Sequence, residues 1–260
     1  MWQRGRVTDD DAQTSPAPGK RARQRLEIEA GILRVAREHL ARQGPAGLSL
    51  RAVARDLGMV SSGIYRYVES RDDLLTRLIV DAYTSLAHDV LAAHDAVDRD
   101  DLSGRWHAIG RALRAWALAH PHDFALVYGT PVPDYVAPRE RTVEPGTAVL
   151  AALVRLLHDA HRARRLDTSG WGRPPRAHPD DADAPGDLPR RAVGWILDDP
   201  MLAEVDVPAA GLVRGVAAWT LLIGAVTGEL FHQLGPVPDP EALFHCQLDV
   251  GEQLVLTPPP

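Results

Sequence analysis

The stretch that most constrains the chain is Leu48 to Leu75, LSLRAVARDLGMVSSGIYRYVESRDDLL. Leu50, Val53, Ala54 and Leu57 recur at three- and four-residue spacing, one face of a short helix. Ser49 stands where it can cap the first turn by accepting from an unpaired backbone N–H. Gly58 follows at the point where a left-handed or closely packed backbone is needed, which glycine adopts without steric cost. A second short helix is predicted over about 61–68, with Ile64 and Val68 on one side and Ser62, Tyr65 and Arg66 elsewhere. Ser70 then opens a longer helix, with Asp72 and Asp73 in a first turn that favours carboxylates. Two short helices about a tight corner form a helix-turn-helix, whose second helix can enter the major groove of DNA.

The same spacing occurs in all-helical proteins that never touch nucleic acid. The side chains favour DNA. Tyr65, Arg66 and Tyr67 form a compact polar-aromatic cluster on an element too short to be stable alone. Tyrosine hydroxyls and arginine forks are suited to phosphate oxygens. The net charge of -6 points the other way only until it is divided along the chain. Residues 1–71 hold 13 Lys+Arg and 8 Asp+Glu, a balance of +5, and the remaining 16 and 27 give -11. A positive end on an acidic body fits a phosphate-facing module attached to a sensing or dimerising domain. Lys20-Arg21-Ala22-Arg23-Gln24-Arg25 adds four positive charges in six positions, just ahead of a helix expected over 23–42. Such a run can merely solubilise. Beside a helix-turn-helix it reads as an arm that follows the DNA backbone or enters a minor groove.

The run LSLRAVARDLG, then MVSSGIYRYV and ESRDDLL, resembles the DNA-binding domain of the TetR family of bacterial transcriptional regulators. The resemblance implies that Ile64 fills a core position and that Tyr65 is the phosphate-binding tyrosine. Tyr67 stands where a histidine or tyrosine is common, and Arg71 where a lysine commonly opens the fourth helix. Two positions depart from the pattern. Val60 replaces the usual serine cap, leaving Ser61 to supply it. Gly63 replaces a threonine or alanine, which removes a groove contact and costs roughly 1 kcal/mol of helix propensity. The residues expected at DNA are Lys20, Arg21, Arg23, Arg25, Ser49, Ser61, Ser62, Gly63, Tyr65, Arg66, Tyr67 and Arg71.

Further helices are expected over 70–94, 102–120, 147–165, 208–234 and 239–254, with a short helical turn after Pro121. Tyr128-Gly129-Thr130-Pro131-Val132-Pro133, with the later Ala137-Pro138, resembles a run in the regulatory domain of part of the family and reads as a pocket wall. Trp106, Trp116, Phe124, Tyr128, Trp219 and Phe231 are the candidate ligand-lining residues, although a tryptophan stripe also suits a core. Helices near 147–165 and 208–234 carry broad apolar faces, and the second adds Gly211, Gly215, Gly224 and Gly228 for close approach. The resemblance implies that these two join their copies in a homodimeric four-helix bundle.

Catalysis finds little support. His158 and His161 share a helix face and could hold a metal with a third group, but core or solvated histidines are the plainer reading. No H-E-x-x-H, cysteine pair, Gly-x-Ser-x-Gly elbow or phosphate-binding glycine loop occurs. The acids at 180–183 read as solvated. No metal, cofactor or enzymatic activity is implied. A single cysteine, Cys246, excludes an intramolecular disulfide and fits a reducing compartment. The opening residues do not resemble a signal peptide. The apolar segment near 212–234 contains Arg214 and Glu229, so it reads as a core or interface helix and not a membrane span.

The expectation is therefore an all-α, cytoplasmic protein. A disordered tail (1–19) precedes a three-helix DNA-binding head (20–70), joined by a long helix to a ligand-binding and dimerisation domain (71–256) with a flexible loop at 166–192. Its partners would be double-stranded DNA, a second copy and a small effector, with no membrane. The expected function is repression of a palindromic operator, relieved by a largely apolar or aromatic effector. The alternatives are a regulator of this fold without an effector, and a helical small-molecule-binding protein that does not bind DNA.

Overall fold

A computed structural model of the chain describes residues 19–169, 188–199, 202 and 204–258. The expected tail, apart from Gly19, lies outside these residues, as do positions 170–187 of the expected loop and the acids at 180–183. The regular elements are helices, and one isolated antiparallel bridge pairs Leu166 with Leu256. They are α1 (Lys20–Gln43), α2 (Leu50–Asp56), α3 (Arg71–Asp95), α4 (Leu102–Ala119), α5 (Pro121–Tyr128), α6 (Arg139–Arg162), α7 (Leu188–Ala192), α8 (Gly194–Leu197), α9 (Ala209–Leu230) and α10 (Pro240–Val255).

Helix α1 begins at Lys20, so the basic run forms its first turns and is not a separate arm. Helix α2 ends as the sequence suggests. Gly58 takes φ 66, its amide donates to Arg55 O at 3.0 Å, and the Met59 amide donates to Ala54 O at 2.9 Å. This pair of bonds turns the chain sharply at a left-handed glycine. Ser49 is the N-cap residue of α2, but its hydroxyl caps no amide.

The element expected as a helix over 61–68 is tighter than that. Gly63 N–H donates to Val60 O at 2.7 Å, Arg66 N–H to Gly63 O at 3.3 Å, and Tyr67 N–H to Ile64 O at 2.9 Å. These i→i+3 bonds make a turn followed by one 3₁₀ turn, Ile64–Arg66. A segment this short, with glycine at its centre, has too few residues to nucleate an α-helix. Tertiary packing holds it instead. Ile64 and Val68 are buried among Ile32, Val35, Val53 and Leu75 in a core of the head's own.

Helix α3 is 25 residues long, which at 1.5 Å per residue spans roughly 38 Å. Ser70 Oγ accepts from the Asp73 amide at 3.0 Å, the cap expected from the sequence. Leu74, Leu75 and Leu78 belong to the head core, whereas Ala82, Leu86 and Val90 enter a second core in the body. One continuous rod thus serves both.

In the body, α3 packs on α4 and α6, and α9 packs on α10. Trp106 is 1% exposed, and its Nε1 donates to Leu248 O at 2.9 Å. Gly251 permits this approach, since a Cβ there would lie 2.5 Å from Trp106 Cζ2. Helix α6 departs from expectation by starting at Arg139 and running through Pro145, although proline and glycine ordinarily break a helix. Arg141 pairs with Asp73 at 2.9 Å and Gly146 packs beside the Tyr83 ring, contacts that secure the early turns. The helix stops at Arg162 and not Arg165, because Arg164 is left-handed (φ 56) and the Arg165 amide returns to Ala160 O. Residues 188–192 of the expected loop are helical.

Candidate nucleic-acid interface and regulatory cavity

Ser61, Ser62, Tyr65 and Arg66 are exposed on the outer side of the corner, with Val60 beside them. Tyr65 is 49% exposed even though its neighbour Ile64 is fully buried. The chain thus anchors the turn on one side and leaves hydroxyl, guanidinium and phenol groups on the other. Other expected residues sit differently. Gly63 is buried inside the corner and offers no surface. Tyr67 is half-buried, with the Arg25 guanidinium 5.8 Å from its ring centre, and Arg25 also pairs with Glu29 at 2.9 Å. Arg71 donates to Pro45 O at 2.9 Å, binding the start of α3 to the α1–α2 connection. Lys20, Arg21 and Arg23 are exposed on the first turns of α1, and Ser49 is exposed at the start of α2.

The head is fastened to the body through α5 and the loop after it. Arg37 on α1 donates to Asp123 on α5 and also pairs with Asp81 on α3. Val132 and Tyr135, in the proline-rich loop, pack against the head core, and the Tyr135 hydroxyl lies 2.9 Å from Thr76 Oγ1. Asp73 gathers Arg77, Arg141 and the Glu69 amide about one carboxylate. Burial alone would raise its pKa, but the two guanidinium groups and the amide outweigh burial and hold it below the ordinary 3.8.

An apolar cavity lies between α6, α8 and α9. It measures about 310 Å³ and is bounded by Leu150, Ala151, Val154, Trp195, Val216 and Trp219, with Trp106 at its inner end. Thr147 and Asp199 are its polar lining residues. The volume falls in the lower part of the range usual for small-molecule sites. Of the residues expected to line a pocket, Trp106 and Trp219 reach this one. Tyr128 and Phe231 instead line a groove between the head and the body, with Leu40 and Pro45 of the head opposite. Trp116 and Phe124 line neither, being packed into the core at 2% and 0% exposure. Trp116 donates to Ser85 Oγ, and Phe124 stands 5.1 Å from the Tyr128 ring. Burial raises the pKa of the Tyr128 phenol, with a smaller push from Tyr83, and so keeps it neutral.

The proline-rich loop walls two depressions at the head–body junction, one through Tyr128, Thr130 and Pro131 and the other through Val132, Tyr135 and Ala137, and does not reach the cavity between α6, α8 and α9. Trp195, Leu150 and Ala151 were not anticipated at this site. The short apolar run Val193–Leu197, with a tryptophan at its centre, was the available signal for the first. The alternation of small and large apolar residues in α6 was no signal, because core packing uses the same pattern. Among the described residues no group of three His, Cys, Asp or Glu side chains could hold a metal ion, and His158 Nδ1 takes the Asp206 amide at 2.9 Å.

Residues 106–250 match the family model described as the tetracyclin repressor-like C-terminal domain, and residues 32–78 match that of bacterial regulatory proteins of the tetR family. The chain belongs to the TetR family of bacterial transcriptional regulators. As a TetR-family protein it is a DNA-binding transcription regulator and not an enzyme. It is 38% identical over 231 residues to the HTH-type transcriptional regulators Rv1816 of Mycobacterium tuberculosis and Mb1846 of Mycobacterium bovis, covering 88% of this chain and 92% of each relative. The crystal structure of regulatory protein SCO4313 is 30% identical, with a TM-score of 0.68 over 90% of this chain and 98% of that one. A TetR family transcription regulator from Shewanella sp. PV-4 shares the fold at 14% identity, with a TM-score of 0.58 over 88% and 98% of the two chains.

Proposed function

We propose that this TetR-family protein is a homodimeric repressor, released from a palindromic operator by a compact, largely apolar or aromatic effector. The observation that carries the proposal is the cavity of about 310 Å³, walled by Trp106, Trp195 and Trp219, in a body bound to its head by Arg37 and Tyr135. An effector seated there presses on α6 and α9. Helix α6 meets α3 through the Arg141–Asp73 pair, and α3 enters the head. Binding energy that differs between two body conformations therefore shifts the head, and shifts it only as far as that difference allows. Ser61, Ser62, Tyr65 and Arg66 form the DNA face, supported by Lys20, Arg21, Arg23, Arg25, Ser49 and Arg71.

The dimer is assigned to α9 with α10. Helix α9 is long and apolar enough to cross a membrane, yet only 33% of its most apolar window is buried within the chain. Val216, Ala217, Thr220 and Gly224 stand exposed along it. A second copy covers such a face, and two heads one helical turn apart then meet successive major grooves. Helix α6, expected to share the interface, packs against α3, α4 and α9, and α10 packs against α9 and α4; the exposed Val250 favours α10 as the second helix.

The deciding experiment combines operator footprinting with a screen of small apolar and aromatic compounds. A compound that raises the melting temperature should release the operator from wild type. Ala151→Phe, which fills the cavity, should keep DNA binding and lose that response. Release that survives the filled cavity would place the effector elsewhere.

A further inference from the structure

Among the described residues, Val60 is the one aliphatic side chain that projects from the outer side of the corner, and it is 72% exposed. It is absent from the head core that holds Ile64 and Val68. Its carbonyl accepts the Gly63 amide at 2.7 Å, so Val60 opens the turn that Ser61 and Ser62 continue. The buried Gly63 lies directly beneath, where a Cβ would come within 3.4 Å of Val60 Cγ2. The isopropyl group is therefore supported from below and presented outward, between exposed hydroxyl groups.

We propose that Val60 reads a thymine of the operator through the 5-methyl group of the base. The proposal rests on the reading of this corner as the DNA face. The N-terminal end of a recognition element is the part that meets base edges, whereas phosphate contacts only position it. Serine hydroxyls donate or accept and so tolerate several bases. An aliphatic side chain satisfies no edge donor or acceptor, and the thymine methyl is the apolar feature of the major groove. Contact with that methyl removes an exposed valine from water, while a cytosine or adenine edge in the same place would lose its own water partners. Val60 thus supplies base discrimination that the flanking serines lack.

The test is selection of duplexes from a random pool with the full-length protein, followed by titration of the selected operator carrying deoxyuridine in place of individual thymines. For wild type, one thymine in each half-site should be required. Loss of its methyl should weaken binding by about fourfold per half-site, and by about sixteenfold in both, as expected for one buried methyl-sized group. Val60→Ala, an exposed change that leaves the head core intact, should bind more weakly by a similar factor and be indifferent to deoxyuridine at that position. Wild type that binds thymine and deoxyuridine operators alike at every position would overturn the proposal, as would Val60→Ala responding to deoxyuridine as wild type does. A pool that yields no enriched sequence would overturn the assignment of the corner as well. That result is distinct from enrichment without methyl dependence, which removes Val60 alone.

Discussion

Arg37 on α1 donates from Nε to both carboxylate oxygens of Asp123 on α5, at 3.1 and 3.2 Å, although 86 residues separate them. Asp123 is 6% exposed, and Arg37 is its partner from the head. The same guanidinium also pairs with Asp81 on α3. Three helices therefore meet at one cation, at the junction of head and body.

Arg37→Ala should destabilise the protein by about 2–3 kcal/mol, because it strands a buried carboxylate next to a second acid. Asp123→Asn keeps an acceptor and removes the buried charge, so its loss should be smaller. Urea unfolding of both variants measures this. Equal stability of Arg37→Ala and wild type would show that the junction is held by apolar contacts alone.

Tyr65→Phe removes one hydroxyl from the exposed side of the corner and leaves the head core untouched. If that hydroxyl meets a phosphate, affinity should fall by similar factors, roughly three- to tenfold, on operator and random duplexes. Titration of both duplexes at fixed salt checks it. A loss confined to the operator would reassign Tyr65 to a base.

Gly224→Arg separates folding from association. A Cβ at Gly224 meets nothing within 4 Å in the single chain, so the variant should keep its helical content and its melting temperature at dissociating concentrations. Where α9 pairs with a second α9, the same side chain has no room. Sedimentation should then show monomer, with operator affinity lost through the missing second head. A dimeric Gly224→Arg would exclude this face of α9 from the interface.

Acid should weaken the protein through Asp73 and Asp159. Burial raises the pKa of Asp159, but hydrogen bonds and charge from Arg99 and Arg105 outweigh it, as Arg141 and Arg77 do at Asp73, so both lie below the ordinary 3.8. A carboxylate depressed in the folded state stabilises it fully above the unfolded value. That contribution is lost as pH falls through the folded value. Melting temperature should therefore drop below about pH 4. Asp159→Asn should lower it at neutral pH and flatten the acid limb, and an unchanged acid limb would acquit this carboxylate.

What could be read in the sequence was what depends on near neighbours. Ser70 and Asp73 cap α3 within one turn, and α2 ends at Gly58, whose amide bonds three positions back while that of Met59 bonds five back. The all-helical class and the inward Ile64 follow from periodicity for the same reason. Distant partners were hidden. Nothing near Pro145 announces that Asp73 and Tyr83 will hold a helix through it. Trp106 and Trp116 share one helical stripe and both are buried, yet only the first lines the cavity, because spacing reports which residues face inward and not where the interior is empty. Trp195 reaches the cavity from the short helix α8, whose apolar residues announce a helix but not the surface it will face.

Leu74, Leu75 and Leu78 come from α3, and Val132 and Tyr135 come from a loop far down the chain, yet all five press on the head core. A chimera that grafts residues 20–70 onto another regulator would arrive with bare apolar patches where these side chains belong. Any exchange of reading heads between relatives must carry α3 and the loop's two anchors along, so new operator preferences are more readily acquired by substitution at the corner than by transplanting the module.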